Sequence, residues 1–252
     1  MGKKAPREVF EMKNVCKSVV GIVGGMGAYA TLHFFRKLLD AFDVEKEWER
    51  PRIIIDNNTV MPSRVRAILY GERREQLVEM LADSIRRLLS YGPDTIALAC
   101  NTSHHFLPEI RQRVSIPDGV LVDLVEAVTD NLRDSRISEV FVLATEGTIA
   151  TRVYDGYCLK HGIAVSYPER RAEQSVLREF IESVKQQKWE GLTTRFADYL
   201  AKLDHENVVL GCTELPMIFD AIADKEGIGK KIIDPVQLTV HKIHNRITRD
   251  CK

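Results

Sequence analysis

Two cysteines stand at matching places in the chain, and thiols at such places can move protons. Cys100 ends the apolar run TIALAC and Cys212 ends the run VVLGC. Each follows a predicted buried strand and precedes Thr or Asn-Thr and a helix-like segment. A thiol near a helix N-terminus loses its proton more readily than a free one, and backbone N–H groups there are open to an anion. Two thiols facing one carbon from opposite sides suit a reaction that removes a proton from one face and returns one to the other. A single cysteine at a strand end is more often a small buried apolar residue; the pairing distinguishes this case.

The pairing rests on an internal repeat. VGGMGAYAT ends at Thr31 and LATEGTIAT ends at Thr151, an offset of 120. Both follow an apolar run and share Gly-x-x-Ala-Thr, Gly27 matching Gly147 and Ala30 matching Ala150. The two cysteines are offset by 112. Two matches at nearly equal offsets imply a duplicated α/β unit whose halves are related by an approximate two-fold axis. In open parallel sheets ligands sit beyond the carboxyl ends of the strands, so both cysteines would face one cleft.

Other motifs compete. Gly25-Met26-Gly27-Ala28-Tyr29-Ala30 fits G-x-G-x-x-A, with Asp56 ending the next strand where a ribose-binding acid would lie. This makes an NAD(P)-dependent oxidoreductase the rival; alone the motif is weak, and the echo at Gly147 lacks a counterpart of Gly25. His104 and His105 follow Cys100, but no second Cys or His cluster has ligand spacing, so no metal is expected. His241 and His244 read as surface or packing residues of the last helix, Cys158 as core, and Cys16 and Cys251 as incidental.

The elements that must position these residues alternate. Predicted strands cover 17–23, 52–55, 95–99, 120–122, 139–143, 163–165, 207–210 and 232–233. Predicted helices cover 28–42, 74–91, a stretch reaching about 132, another reaching about 160, about 172–185, about 190–203 and 235–247. Such alternation implies parallel sheets covered on both faces. The 252 residues are 44% hydrophobic and 29% charged, which excludes general disorder. Lys plus Arg and Asp plus Glu are 36 each, a net charge of zero, so no nucleic-acid or anionic-membrane partner is expected. No apolar run approaches the roughly 18 residues of a membrane helix. The polar start lacks a signal h-region, and Pro6 breaks the myristoylation pattern. Five widely spaced cysteines without C-x-x-C then read as reduced thiols in the cytoplasm.

In these residues the chain resembles the aspartate/glutamate racemase superfamily, most of all its aspartate racemase branch. The matching motifs are Gly24-Gly25-Met26-Gly27 with Ala30-Thr31, Asn57-Asn58 with Pro62 and Arg64, Cys100-Asn101-Thr102 with His104, Ala144-Thr145 with Gly147-Thr148, Gly211-Cys212-Thr213-Glu214, and Asp234-Pro235. They follow the family's order over nearly the whole chain. Ala28-Tyr29 stands where the family has Pro-Leu. Glu214 follows Thr213 as in aspartate racemases, where glutamate racemases carry His, and the Asp-Ser pair of their first turn is absent.

The resemblance implies two similar, pseudo-symmetric α/β domains, each a mostly parallel sheet flanked by helices, with the active site in the cleft between them. It places residues 17–116 plus about 215–252 in the first domain and about 117–214 in the second, after a polar extension at 1–16. It implies a homodimer whose last helix returns to the first domain. It implies racemisation of an acidic amino acid, aspartate first, with no pyridoxal phosphate, metal or other cofactor. Cys100 and Cys212 would be the catalytic pair. Backbone amides near Asn101, Thr102 and Thr213 would hold the α-carboxylate. Arg64 and Lys185 would meet the side-chain carboxylate, with Met26, Asn57, Thr145 and Glu214 completing the substrate site. A lyase or cis–trans isomerase of the same superfamily, the NAD(P) enzyme and a non-catalytic small-molecule binder stand as the other readings.

Overall fold

The computed structural model describes residues 16–250; the expectations for the first fifteen residues and for Cys251 lie outside this range. The first half contains β1 (Val19–Gly24), α1 (Ala28–Asp40), β2 (Arg52–Asn57), α2 (Arg64–Tyr70), α3 (Arg74–Leu89), β3 (Thr95–Leu98), α4 (Leu107–Arg113) and β4 (Leu121–Val122). Then follow α5 (Leu124–Asp134), β5 (Glu139–Ala144), α6 (Glu146–Thr151), α7 (Asp155–Cys158), β6 (Ala164–Ser166), α8 (Arg171–Lys185), α9 (Leu192–Ala201), β7 (Asn207–Gly211), α10 (Leu215–Asp220), β8 (Lys231–Ile233) and α11 (Pro235–Asp250).

The strands form two four-stranded parallel sheets of the same order, β2-β1-β3-β4 and β6-β5-β7-β8. The repeat in the sequence is thus a repeat of topology: β1 matches β5, and β3 matches β7. The central strands read as unbroken apolar runs because helices cover both their faces. On one face of the first sheet lie Leu77, Leu81 and Ile85 of α3 with Phe106 and Ile110. On the other lie Phe34 and Leu38 of α1 with Val236, Val240 and Ile243 of α11. The second sheet packs α8, α9 and α10 on one face through Phe180, Phe196 and Leu215. Val125, Val128 and Leu132 of α5 cover its other face. Truncating any of these fully buried side chains to alanine costs about 2–5 kcal/mol.

The crossings between halves are reciprocal. After β4 the chain passes Asp123 and α5 packs on the second sheet; after β8 it passes Asp234 and α11 packs on the first. Both aspartates cap the helix they precede. Asp123 Oδ1 accepts from the Val125 and Glu126 amides, and Asp234 Oδ1 accepts from Val236. The boundaries expected near 116 and 215 therefore differ from sheet membership: β4 still pairs with β3, and β8 still pairs with β7.

Two local departures from expectation have clear causes. The helix expected to run to about 160 stops after Thr151, because Arg152 sits in the left-handed region at φ 48°. Helix α2 carries no sequence signal, its seven residues being too few to show a periodic apolar stripe. It is defined by its ends instead, with the Ser63 side chain accepting from Arg66 and Gly71 closing it at φ 70°. Among the described residues no helix is long and apolar enough to cross a membrane.

Candidate active site

Cys100 and Cys212 line one small cavity of about 50 Å³ beyond the carboxyl ends of β3 and β7, the matching strands of the two sheets. Both are buried, each 6% exposed. Met26, Arg64, Asn101, Thr102, Thr145, Lys185, Thr213 and Glu214 line the same cavity, as do Ser63 and Val65, which the sequence did not single out. Asn57 does not join them. It is exposed at the end of β2, paired with Gly24, and is the one expected site residue that the fold leaves outside. A larger cavity of about 420 Å³ adjoins, sharing Ser63, Val65, Thr145 and Lys185 and extending to Tyr70, Gln174 and Arg178.

The glycine turn after β1 serves its own chain. Gly25 has φ 85°, and a β-carbon there would fall on the backbone of Asn58. A β-carbon on Gly27 would meet the Glu214 carboxylate. The glycines read as a dinucleotide fingerprint are thus spent on Asn58 and Glu214. Thr31 stitches the turn, its hydroxyl donating to the Gly27 carbonyl and accepting from the Gly25 amide. Thr151 repeats the bond to the Gly147 carbonyl in the second half.

Around Cys100 the loop is tied from behind. The Leu124 amide donates to His104 Nε2 at 3.1 Å, so His104 carries its proton on Nδ1 and donates to the Cys100 carbonyl at 2.9 Å. Both ring nitrogens are occupied, and His104 orients the cysteine loop rather than binding a metal. His105 lies off the cavity, its basicity lowered by burial and by Arg74. Asn101 is equally fixed. The fully buried Tyr154 hydroxyl, which burial keeps protonated, donates to Asn101 Oδ1. The Asn101 Nδ2 amide is then left buried without a partner. Thr102, Thr145 and Thr148 form a hydroxyl triangle at 2.9–3.2 Å that joins the two halves across the cleft.

Around Cys212 the side chains are charged. The thiol donates to Glu214 Oε2 at 3.0 Å, and Thr213 Oγ1 approaches the same oxygen at 3.4 Å. Glu214 Oε1 is buried without a partner. Burial and the adjacent Glu214 push the Cys212 thiol well above the ordinary thiol range, against the opposing pull of Lys185. Burial works against the charge on Lys185, yet Glu214, Glu182 and Cys212 raise its basicity overall, and its ammonium donates to Glu182 at 2.8 Å. Arg64 spends donors on the Met26 and Pro62 carbonyls, which pin it to the glycine turn and leave the rest of its five N–H groups.

The cavity therefore offers two thiols, an unpartnered donor on Asn101, an unpartnered acceptor on Glu214 and two cations. Buried polar atoms without partners are costly unless something else satisfies them. Asn101 and Glu214 both line the cavity. Among the described residues, no group of three or more His, Cys, Asp or Glu is arranged to hold a metal ion.

The Asp/Glu/Hydantoin racemase family model matches residues 23–243. A glutamate racemase of Lactobacillus johnsonii is 26% identical over 212 residues, covering 82% of this chain and 75% of that protein. A broad specificity amino-acid racemase, RacX, of Bacillus subtilis is 25% identical over 213 residues, covering 81% and 88%. The solved structure of Picrophilus torridus aspartate racemase superposes with a TM-score of 0.70 at 25% identity, covering 90% of this chain and 94% of that one.

Proposed function

The chain belongs to the Asp/Glu/Hydantoin racemase family, and from that premise we propose that it interconverts the enantiomers of an acidic amino acid, aspartate first, without a cofactor. The observation that carries this reading is the convergence of Cys100 and Cys212, from matching strands of two sheets, on one cavity. One cysteine, as thiolate, takes the α-proton: a C–H bond breaks, an S–H bond forms, and the electron pair spreads into the α-carboxylate. The other, as thiol, gives its proton to the opposite face of the same carbon. The site ends with the protonation of the two cysteines exchanged, ready for the other enantiomer.

The α-proton is far less acidic than a thiol, so charge on the carboxylate has to be stabilised by donors already in place in a dry cleft. The free Asn101 amide supports that role, and the thiols are nearly out of solvent. Arg64 and Lys185 on the same cavity support an acidic side chain. The adjoining cavity of about 420 Å³ leaves room for a longer side chain, and a single methylene discriminates by about 1–3 kcal/mol. Glutamate is therefore the first competitor in the assay, matching the names of several relatives.

The test incubates L-aspartate, L-glutamate and L-alanine separately with EDTA-treated protein in deuterated water and analyses them by chiral chromatography with mass detection. The expected result is D-aspartate carrying deuterium at Cα, formed faster than D-glutamate. No exchange at Cα of any of the three, with binding retained, would make the chain a binding protein. Activity appearing only on addition of a nicotinamide cofactor would restore the oxidoreductase reading.

A further inference from the structure

The two halves run as similar apolar strands up to the cysteines and diverge just after them, where Asn101 stands opposite Thr213. Aligning Cys100 with Cys212 sets Thr102 opposite Glu214. Thr102 spends its hydroxyl on Thr145 and Thr148, away from its own cysteine. Glu214 turns back onto its own, accepting from Cys212 Sγ at 3.0 Å. It is 3% exposed, and the missing side chain of Gly27 makes the room for it. Among the described residues, no side chain forms a comparable hydrogen bond to Cys100 Sγ.

We propose that Glu214 is a positioning residue that holds Cys212 as the protonated member of the cysteine pair, so that Cys100 is the base when the site is empty. The inference rests on the racemase reading for its mechanistic meaning, because a two-base site must begin with one thiol and one thiolate. A thiolate at Cys212 would face the Glu214 carboxylate at hydrogen-bond distance, two like charges in a buried site; a thiol there makes a hydrogen bond instead. The other charged or titratable groups near Cys212 are Lys185 from α8, which favours a thiolate, Arg64 and Cys100 on the cavity wall, and the neutral Tyr154. Burial and Glu214 outweigh Lys185, and the Cys212 thiol lies well above the ordinary range. The pseudo-symmetric site is thus electrically asymmetric: the enantiomer whose α-hydrogen faces Cys100 meets a site already poised, and the other meets it after the proton has moved.

The experiment is a pH titration of thiolate absorbance, taken as the difference between wild type and Cys212→Ser so that only Cys212 is read. The same difference is taken in the Glu214→Gln background. Gln keeps the shape and can still accept a hydrogen bond from the thiol, so a residue that only packs would tolerate the change. Cys212 is expected to titrate above the ordinary thiol range in wild type and about 1–3 pH units lower in Glu214→Gln, the size of a neighbouring like charge. The alkaline limb of kcat/KM moves down with it. Cys212 titrating no higher in wild type than in Glu214→Gln overturns the proposal. If Glu214→Gln does not fold, the wild-type difference decides alone: a Cys212 midpoint at or below the ordinary thiol range overturns it. The titration needs no turnover, so failure of the racemase reading and failure of this one are separately visible.

Discussion

Glu214 Oε1 fills the space beside Gly27: a β-carbon built on Gly27 would lie 2.5 Å from it. The backbone there is ordinary, φ −127° and ψ 142°, so alanine at this position meets a side chain and not a strained conformation. Gly27→Ala is expected to change stability by no more than about 1 kcal/mol, because the carboxylate can swing aside. Turnover should fall roughly 100-fold, since the displaced group is the one bonded to Cys212. Gly25→Ala is the contrast. With φ 85° and the Asn58 backbone in the way, it should cost about 1–3 kcal/mol or more in unfolding free energy. Denaturant unfolding and steady-state kinetics on both variants check the pair. Equal destabilisation of both would show that Gly27 is a folding glycine and not a place for Glu214.

The cysteines and glycines were legible in the sequence because the duplication wrote them twice, and identical strand orders turned a one-dimensional offset into a shared cleft. Other parts of the site leave no local signature. Tyr154 fixes Asn101 from 53 positions away, a contact visible only after α7 has packed beneath the cleft. Asn57 belonged to a matching motif but ends an outer strand with its side chain exposed, so motif membership overstated its reach. The reciprocal crossings depend on Asp123 and Asp234, each between a short strand and a helix. Their spacing of 111 nearly equals that of the cysteines, so the duplication extends to them.

If Arg64 and Lys185 meet a side-chain carboxylate, replacing either by alanine removes a charge-assisted contact of about 1.5–3 kcal/mol, or roughly 10- to 150-fold in kcat/KM for aspartate. Alanine as substrate, which has no such carboxylate, should lose much less. Arg64→Ala also frees the Met26 and Pro62 carbonyls, and Lys185→Ala removes the cation that faces Glu214 and Cys212, so a modest general loss is expected from both beside the larger loss for aspartate. Unchanged aspartate kinetics in both variants, or equal losses for aspartate and alanine, would remove these residues from substrate recognition.

A cluster behind the cleft predicts how stability responds to acid. Asp220, at the end of α10, accepts from His33 Nε2 at 2.9 Å and lies 2.8 Å from Lys37 Nζ, both on α1; Lys37 also reaches Asp234 at 3.0 Å. Burial favours a protonated Asp220, but the bonds from His33 and Lys37 prevail and hold its pKa at about 2, below its ordinary 3.8. A depressed carboxyl stabilises the fold above its unfolded value and loses that contribution as pH falls toward the folded one. Asp220→Asn should therefore melt below wild type near neutral pH, with the gap narrowing as pH falls from about 5 toward 2. A gap that does not change over that interval would mean the cluster contributes no charge-dependent stability.

The cysteine pair makes the most discriminating prediction. In a two-base site each thiol serves one face of the α-carbon, so replacing either Cys100 or Cys212 by Ser should nearly abolish racemisation, an alcohol being a far poorer base than a thiol at neutral pH. Folding should be almost unaffected, because serine is close in size and at position 212 can still donate to Glu214. The surviving cysteine, through its thiolate, can still abstract from the enantiomer whose hydrogen it faces, more slowly where that cysteine is Cys212 beside Glu214, although nothing protonates the far side. With a β-chloro amino acid, abstraction is followed by loss of chloride: the C–H pair becomes a C=C bond, the C–Cl bond breaks, and the enamine hydrolyses to a keto acid and ammonia. Each single variant should therefore eliminate from one enantiomer, and the two should choose opposite ones. The keto acid is read by a coupled reductase assay on each pure enantiomer. If both variants prefer the same enantiomer, or if Cys212→Ser racemises at close to the wild-type rate, the two thiols do not face each other across the substrate carbon.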